Sequence, residues 1–417
     1  MRKLFVVLIV FAFVGLASCA DVPQEVVPAV ADVTTPPPNP QTTTTTESAP
    51  PVTTTPEPEP EPEPVPEFLT VRACAVGDNL IHSPIYQQAA RRVDGDGYDF
   101  KPAYEHVMEL IASFDLKMIN QETLICNDIF EPSNWPFFNS PVALGDFMIE
   151  MGFNVFGIAN NHTLDKGMEG LYACLDYWED RQEKHDIAVA GAYYDIEDRQ
   201  KIRTLEINGI VFSFLSYAES LNGLDSWLKP PAEVGRFSTA DMPVILAEIE
   251  AAKEISDFCV VFIHWGIEDW NRIEPYQRTA ATQIVEAGAD FILGTHPHVL
   301  RDIEYIERED GTRGLVAYSL ANFISAQSKP PTMIGGVLTF DITVHNETRA
   351  VEITDVLLIP TITHYDANYS NVRIYPLSEY TRELAAAHGV REFGTFGYDY
   401  IYNYIRDSVS EEYLQLE

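Results

Sequence analysis

Asn154-Val155-Phe156-Gly157-Ile158-Ala159-Asn160-Asn161-His162-Thr163-Leu164-Asp165 is the stretch that decides the fold. Its first six residues are mostly apolar and read as a buried strand. The chain then turns polar at once, and a helical pattern follows over 168–184. A buried strand, a polar turn and a helix make one βα unit. The polar turn lies at the C-terminal end of the strand, where open α/β sheets collect ligands.

The same grammar recurs on both sides. Residues 68–76 read as a strand stopped by Gly77 and followed by Asp78-Asn79-Leu80-Ile81-His82. A strand over 116–119 enters Asn120-Gln121-Glu122. The almost wholly apolar run 258–263 leads into His264-Trp265-Gly266, and 291–293 into Gly294-Thr295-His296-Pro297-His298. Helices are predicted over 103–114, 141–151, 241–255 and 275–287, two of them closed by Gly152 and Gly288. Residues 201–206 and 210–217 alternate around Asn208-Gly209, a hairpin signal. A short strand is expected at 187–190 and three more at 314–318, 337–344 and 351–358. Residues 377–406 look mixed helical and aromatic. Alternating strands and helices imply βαβ units, and the later hairpins imply a second, partly antiparallel sheet. The expectation is an α/β two-sheet sandwich flanked by helices.

The chain has 417 residues and a formal net charge of -36. No basic stripe exists to neutralise phosphates, which argues against a nucleic-acid partner. Arg2 and Lys3 precede an apolar run over 4–16 that ends Leu16-Ala17-Ser18-Cys19. Small residues before a Cys look like a bacterial lipobox. Residues 1–18 are therefore expected to be a lipoprotein signal peptide, with lipid on Cys19 and an extracytoplasmic protein anchored to the membrane. An ordinary secretory signal with an incidental Cys is the alternative. Residues 19–67, rich in Pro, Thr and Glu, have no apolar surface to offset ordering entropy and are read as a disordered tether. A globular domain is expected over 68–376, with a C-terminal helical extension over 377–417. After 1–67, with its two basic and nine acidic residues, 25 basic side chains face 54 acidic ones. Of the remaining cysteines, Cys74 and Cys259 lie in apolar strand runs and read as core, while a Cys126–Cys174 pair stays open.

The polar motifs carry the chemistry. Asp78 and Glu122 each offer a carboxylate at a strand end, although either alone could be a turn or surface acid. Asn161 offers a neutral carboxamide oxygen. His162 beside it could meet a substrate as general acid, with Asp165 fixing its tautomer. His264 alone could be a buried core histidine. His296 and His298, alternating on an extended backbone, would share one face and could each serve a different metal. His82 could join them or be a plain loop residue. Asp, Glu, Asn and three His suit a two-metal hydrolytic site.

From about Thr70 to Ile324 the chain resembles the CapA-type poly-γ-glutamate capsule biosynthesis family, related to the calcineurin-like metallophosphoesterases. The resemblance rests on Gly77-Asp78, Asn120-Gln121-Glu122, Asn160-Asn161-His162-Thr163-Leu164-Asp165-Lys166-Gly167, His264-Trp265-Gly266 with Glu268, Gly294-Thr295-His296-Pro297-His298-Val299 and Tyr318-Ser319-Leu320-Ala321-Asn322-Phe323. Ala321 stands where the family usually has Gly, Leu300-Arg301 stand where it usually has Gln, and the Asp-x-His opening of ordinary phosphoesterases is missing. The resemblance implies a four-layer αββα fold. It implies two divalent ions (manganese, iron or zinc) held by Asp78, Glu122, Asn161, His264, His296 and His298, with His162 catalytic.

Two functions follow as expectations. One is a surface-tethered metallohydrolase acting on a phosphoester or on a cell-envelope polymer. The other is a non-catalytic subunit that holds polymer beside membrane subunits of a capsule synthesis and export complex. The negative field works against a polyanionic partner unless cations or a local basic patch such as Arg91-Arg92 intervene.

Overall fold

The computed structural model describes residues 66–416. The expected signal peptide, Cys19 and almost all of the expected tether lie outside the described residues. Among the described residues sixteen strands form two large sheets and one small pair. The first sheet takes β1 (Phe68–Asn79), β2 (Leu116–Asn120), β3 (Val155–Gly157) and β4 (Ala188–Ala190). β5 (Ala192–Tyr193) leaves for the small pair. The second sheet begins with β6 (Arg203–Ile207) and β7 (Ile210–Ala218), and β8 (Glu233–Val234) returns to pair with β5. β9 (Phe258–His264), β10 (Phe291–Thr295), β11 (Ile303–Glu307) and β12 (Arg313–Ala317) complete the second sheet. β13 (Asn322–Ile324), β14 (Ile334–His345), β15 (Val351–Asp366) and β16 (Ser370–Pro376) rejoin the first.

Strand order in the first sheet is β16-β15-β14-β1-β2-β3-β4, with β13 also on β1. In the second it is β11-β12-β10-β9-β7-β6. β1 to β4 run parallel, as do β7, β9, β10 and β12. Their C-terminal ends therefore collect the polar motifs.

Strand alternation builds the layers. Phe258, Val260 and Phe262 of β9 share a core with Val71, Ala73 and Ala75 of β1. Cys259, Val261 and Ile263 point the other way, into a second core with Ile245 and Ile249 of the helix Met242–Glu254 and Ile284 of the helix Pro275–Glu286. The outer face of the first sheet takes the helices Lys101–Ala112, Val142–Glu150 and Gly167–Lys184, where the tilted rings of Trp178 and Phe156 meet at 4.6 Å and those of Tyr104 and Phe147 at 5.6 Å. Helix, sheet, sheet and helix make a four-layer α/β sandwich.

The Asn208-Gly209 hairpin forms, with φ of 52° and 78°, the positive values this turn requires. One expectation is corrected. The runs at 337–344 and 351–358 do not add to the second sheet. β14 pairs antiparallel with β1 from Phe68↔His345 to Val76↔Val337, and β15 follows on β14. β1 is buried from Ala73 to Asn79, and backbone buried there needs a ladder partner on both sides; β14 supplies the second. All four described cysteines are free and buried, so Cys126 and Cys174 are unpaired core residues. Beyond β16, the helices Arg382–Ala387 and Tyr398–Ser408 pack back on the domain, where Ser410 donates to both carboxylate oxygens of Asp302.

Candidate metal centre

Gly77 lets the end of β1 pass directly under the Ala321 carbonyl, which accepts a 2.9 Å hydrogen bond from the Asp78 amide. The Asp78 side chain is fully buried. It accepts from Asn120 Nδ2 at 2.8 Å and faces His298 Nδ1 at 3.0 Å. Glu122, just beyond β2, is also buried. Neither of its carboxylate oxygens has a hydrogen-bond partner among the described residues. A buried bare carboxylate costs several kcal/mol unless a cation or proton meets it.

The turn after β3 folds around Asn160. Its Oδ1 accepts from the His162 amide at 3.0 Å and its Nδ2 donates to the Gln121 carbonyl at 3.0 Å. This aims Asn161 Oδ1 at His264 Nε2, 3.0 Å away. The loop after β7 braces Asn161 from behind, since Asn222 Oδ1 accepts from Asn161 Nδ2 at 3.3 Å. His162 Nδ1 meets Asp165 Oδ2 at 2.7 Å, and the Phe138 amide donates to that same oxygen at 2.6 Å. The Phe138 ring stands edge-on to His162 at 4.8 Å.

His264 ends β9, opposite Thr295 at the end of β10, and its Nδ1 lies 2.9 Å from Thr295 Oγ1. That contact leaves Nε2 free to face Glu122 Oε1 at 3.7 Å and His296 Nδ1 at 3.0 Å. His298 Nε2 lies 3.9 Å from Glu122 Oε1. Two groups of ligand-type atoms result: Glu122, His264 and His296, and Asp78, Glu122 and His298. Within each, the atoms lie within 4.8 Å of one another. Glu122 belongs to both. The donors are oxygen and imidazole nitrogen, which suit a borderline divalent cation.

Electrostatics fit a pocket built for positive charge. Burial and then the neighbouring Asp78 push the Glu122 carboxyl well above the usual carboxylate range. Burial, with His298 and His162 nearby, pushes His296 down to about 3, and burial with the same kind of neighbours pushes His264 well down. Both are neutral imidazoles at ordinary pH, the form that ligates metal. Burial also opposes charge on His298, but Glu122 and then Asp78 outweigh it and raise it to about 10.

The sequence-predicted residues Asp78, Glu122, Asn161, His264, His296 and His298 thus meet, with His162 and Asp165 at the edge. The reason given for the paired histidines is corrected. His296 and His298 are not on an extended strand; their φ values are 93° and 58°, and a turn delivers them. His82 enters neither group. Its Nδ1 takes the Ala326 amide at 3.2 Å, and its ring lies edge-on to Phe138 at 5.2 Å. Asn120, Thr295, Phe138 and Asn222 escaped the sequence reading of the site. The first two stood within quoted motifs. Phe138 and Asn222 gave no local signal, because their role comes from loops meeting in space.

Among solved structures, one described as a novel phosphatase from Mycoplasma pneumoniae aligns over 70% of this chain and 94% of its own, with 13% identity and a TM-score of 0.41. A likeness that distant carries no argument about activity. The PGA biosynthesis protein CapA of Bacillus subtilis is 32% identical over 209 residues, covering 50% of this chain and 51% of that protein. The capsule biosynthesis protein CapA of Bacillus anthracis is 29% identical over 213 residues, covering 50% and 48%. The chain therefore spans about half the length of these relatives. The profile of the family described as bacterial capsule synthesis protein PGA_cap matches residues 72–327, which carry every motif of the centre, and the chain belongs to that family.

Proposed function

We propose that this chain is a metal-dependent hydrolase of capsule biosynthesis, acting on a phosphoester or on an ester or amide of a cell-envelope polymer. The observation that carries the reading is Glu122, buried with both oxygens bare and shared by the two ligand groups. Asp78, Glu122 and His298 would hold one divalent ion, and Glu122, His264, His296 and Asn161 the other; manganese, iron and zinc all suit these donors. Such a pair supplies Lewis acidity and a water that ionises near neutral pH.

The rest is done by the chain itself. Asp165 holds Nδ1 of His162, so Nε2 is the atom that would hand a proton to the leaving group. Phe138 fixes both partners, through its amide to Asp165 and its ring on His162, and keeps bulk water from that side. The location in this reading is extracytoplasmic, with lipid on Cys19 and neighbouring membrane subunits of a capsule complex. Among the described residues no helix is long and apolar enough to cross a membrane.

The test uses the purified full chain. Metal content is measured by plasma mass spectrometry, and turnover of p-nitrophenyl phosphate and of polyglutamate with and without manganese. Two equivalents of metal and manganese-dependent turnover are expected. Glu122→Gln should lose metal. His162→Ala should keep it and lose turnover by about 10²–10⁴-fold. Metal bound with neither substrate cleaved would favour the polymer-holding subunit instead, in which His162→Ala leaves polymer production unchanged.

A further inference from the structure

Two loops that brace the centre also expose large rings at its edge. Residues 127–138 reach the centre through Phe138, whose amide meets Asp165 and whose ring meets His162. Residues 222–229 reach it through Asn222 on Asn161, and the Lys229 amide reaches Met168 Sδ at 3.4 Å. Where the loops meet, Phe137 and Trp227 lie nearly parallel, 18° apart, with centroids at 6.4 Å. A Cβ on Gly167, two residues past Asp165, would stand 3.9 Å from the Trp227 ring. Trp135 is 72% exposed, Trp227 46% and Phe137 42%. The Phe137–Trp227 pair, with Trp135 exposed two residues before Phe137 on the same loop, offers ring faces to a ligand beside the centre.

Charge selects among occupants. Of the nearby cations Arg236 pairs with Asp225 at 2.7 Å, while Lys166 Nζ and Lys229 Nζ donate to the carbonyls of Phe137 at 3.1 Å and Ser226 at 2.5 Å and keep their charge. Asp128 and Glu131 are exposed on the same loop. The two ammonium groups are offset by these two carboxylates, so a polyanion or an anionic lipid surface meets no net positive field there. A sugar chain suits the surface on both counts. The C–H faces of a pyranose stack on indole and phenyl rings, and its hydroxyls donate to carboxylates.

We propose that Trp135, Phe137 and Trp227 form a subsite for uncharged pyranose units of a glycan, leading toward the turn that carries Asn161 and His162. This deepens the hydrolase reading and rests on it for what lies at the subsite's end, but the binding step needs no metal. The experiment is calorimetric titration of the full chain with chitopentaose in the presence of EDTA, so its failure is independent of any failure of the metal reading. Saturable binding is expected, weakened about tenfold or more in Trp135→Ala/Trp227→Ala, with circular dichroism unchanged. Trp135→Phe should retain most of the affinity. No saturable binding, or binding indifferent to the double substitution, overturns the proposal. So does preference for polyglutamate, or for phosphatidylglycerol vesicles, over chitopentaose.

Discussion

Gly77 sits where β1 gives way to Asp78, and a Cβ built there would lie 1.8 Å from the Ala321 carbonyl oxygen. Backbone cannot swing aside as a side chain can, so Gly77→Ala must push β1 and the Ala321 turn apart. The expected cost is about 3 kcal/mol, read as a lower urea midpoint. An unchanged midpoint would mean the close approach is not what fixes Asp78. Its partner is under constraint too. Ala321 has φ of 61°, a left-handed conformation that costs an L-residue roughly 1–2 kcal/mol. The sequence showed that Ala stands where Gly is usual, and the strain is the physical content of that departure. His296 and His298 are strained in the same sense, and here the sequence misled. An x-His-x-His pattern reads as a strand, and nothing in it reveals that both residues take positive φ.

Two buried side chains other than the ligands tie elements together, Arg301 beside the centre and His388 at the C-terminal segment. Arg301 is fully buried, and among the described residues its hydrogen-bond acceptors are neutral. It donates to the Trp270 carbonyl at 2.6 and 2.9 Å, to Gln277 Oε1 at 2.8 Å and to the Ile267 carbonyl at 3.2 Å. Burial pushes its guanidinium down to about 10, still charged at neutral pH. It therefore clamps the 266–270 loop beside His264. Arg301→Met strands those carbonyls, and a loss of about 3 kcal/mol is expected. Hydrogen exchange should rise first in that loop; protection left intact there would refute the clamp.

His388 closes the C-terminal segment onto β15. Its Nε2–H donates to the Thr363 carbonyl at 2.9 Å and its Nδ1 accepts from the Val390 amide at 3.0 Å. His364, Tyr365 and Phe396 pack around the ring at 4.7–4.8 Å, and Asp366 lies nearby. Burial and His364 push His388 down to about 3, against the pull of Thr363 and Asp366. Between pH 3 and about 6.5 the unfolded chain therefore holds a proton that the folded chain refuses. Stability from this residue is complete above that window and drains as pH falls. Urea midpoints at pH 7 and pH 5 should differ less in His388→Asn than in the wild type, by on the order of 1 kcal/mol.

At the scale of the whole molecule, charge acts against compactness. With a net charge of -36, self-repulsion should yield to screening. Raising the salt from low to physiological ionic strength at fixed pH is expected to raise the melting temperature; a flat response would mean the acids are already locally compensated. The architecture itself was largely legible. Each polar motif at a strand end was written in consecutive residues, and parallel strands bring such ends to one edge. What could not be read was the pairing of β14 with β1. Their contact joins residues more than two hundred positions apart, and both runs are apolar enough to fit either sheet. The loops carrying Phe138 and Asn222 were hidden for the same reason.

β1 also has a direction. The backbone enters it at Phe68 and reaches Asp78 ten residues later, a climb of roughly 33 Å at the usual strand rise. Phe68 and the buried carboxylate of Asp78 thus stand at opposite ends of one strand, so a change at the start of β1 reaches the centre only along the whole length of its ladder with β14.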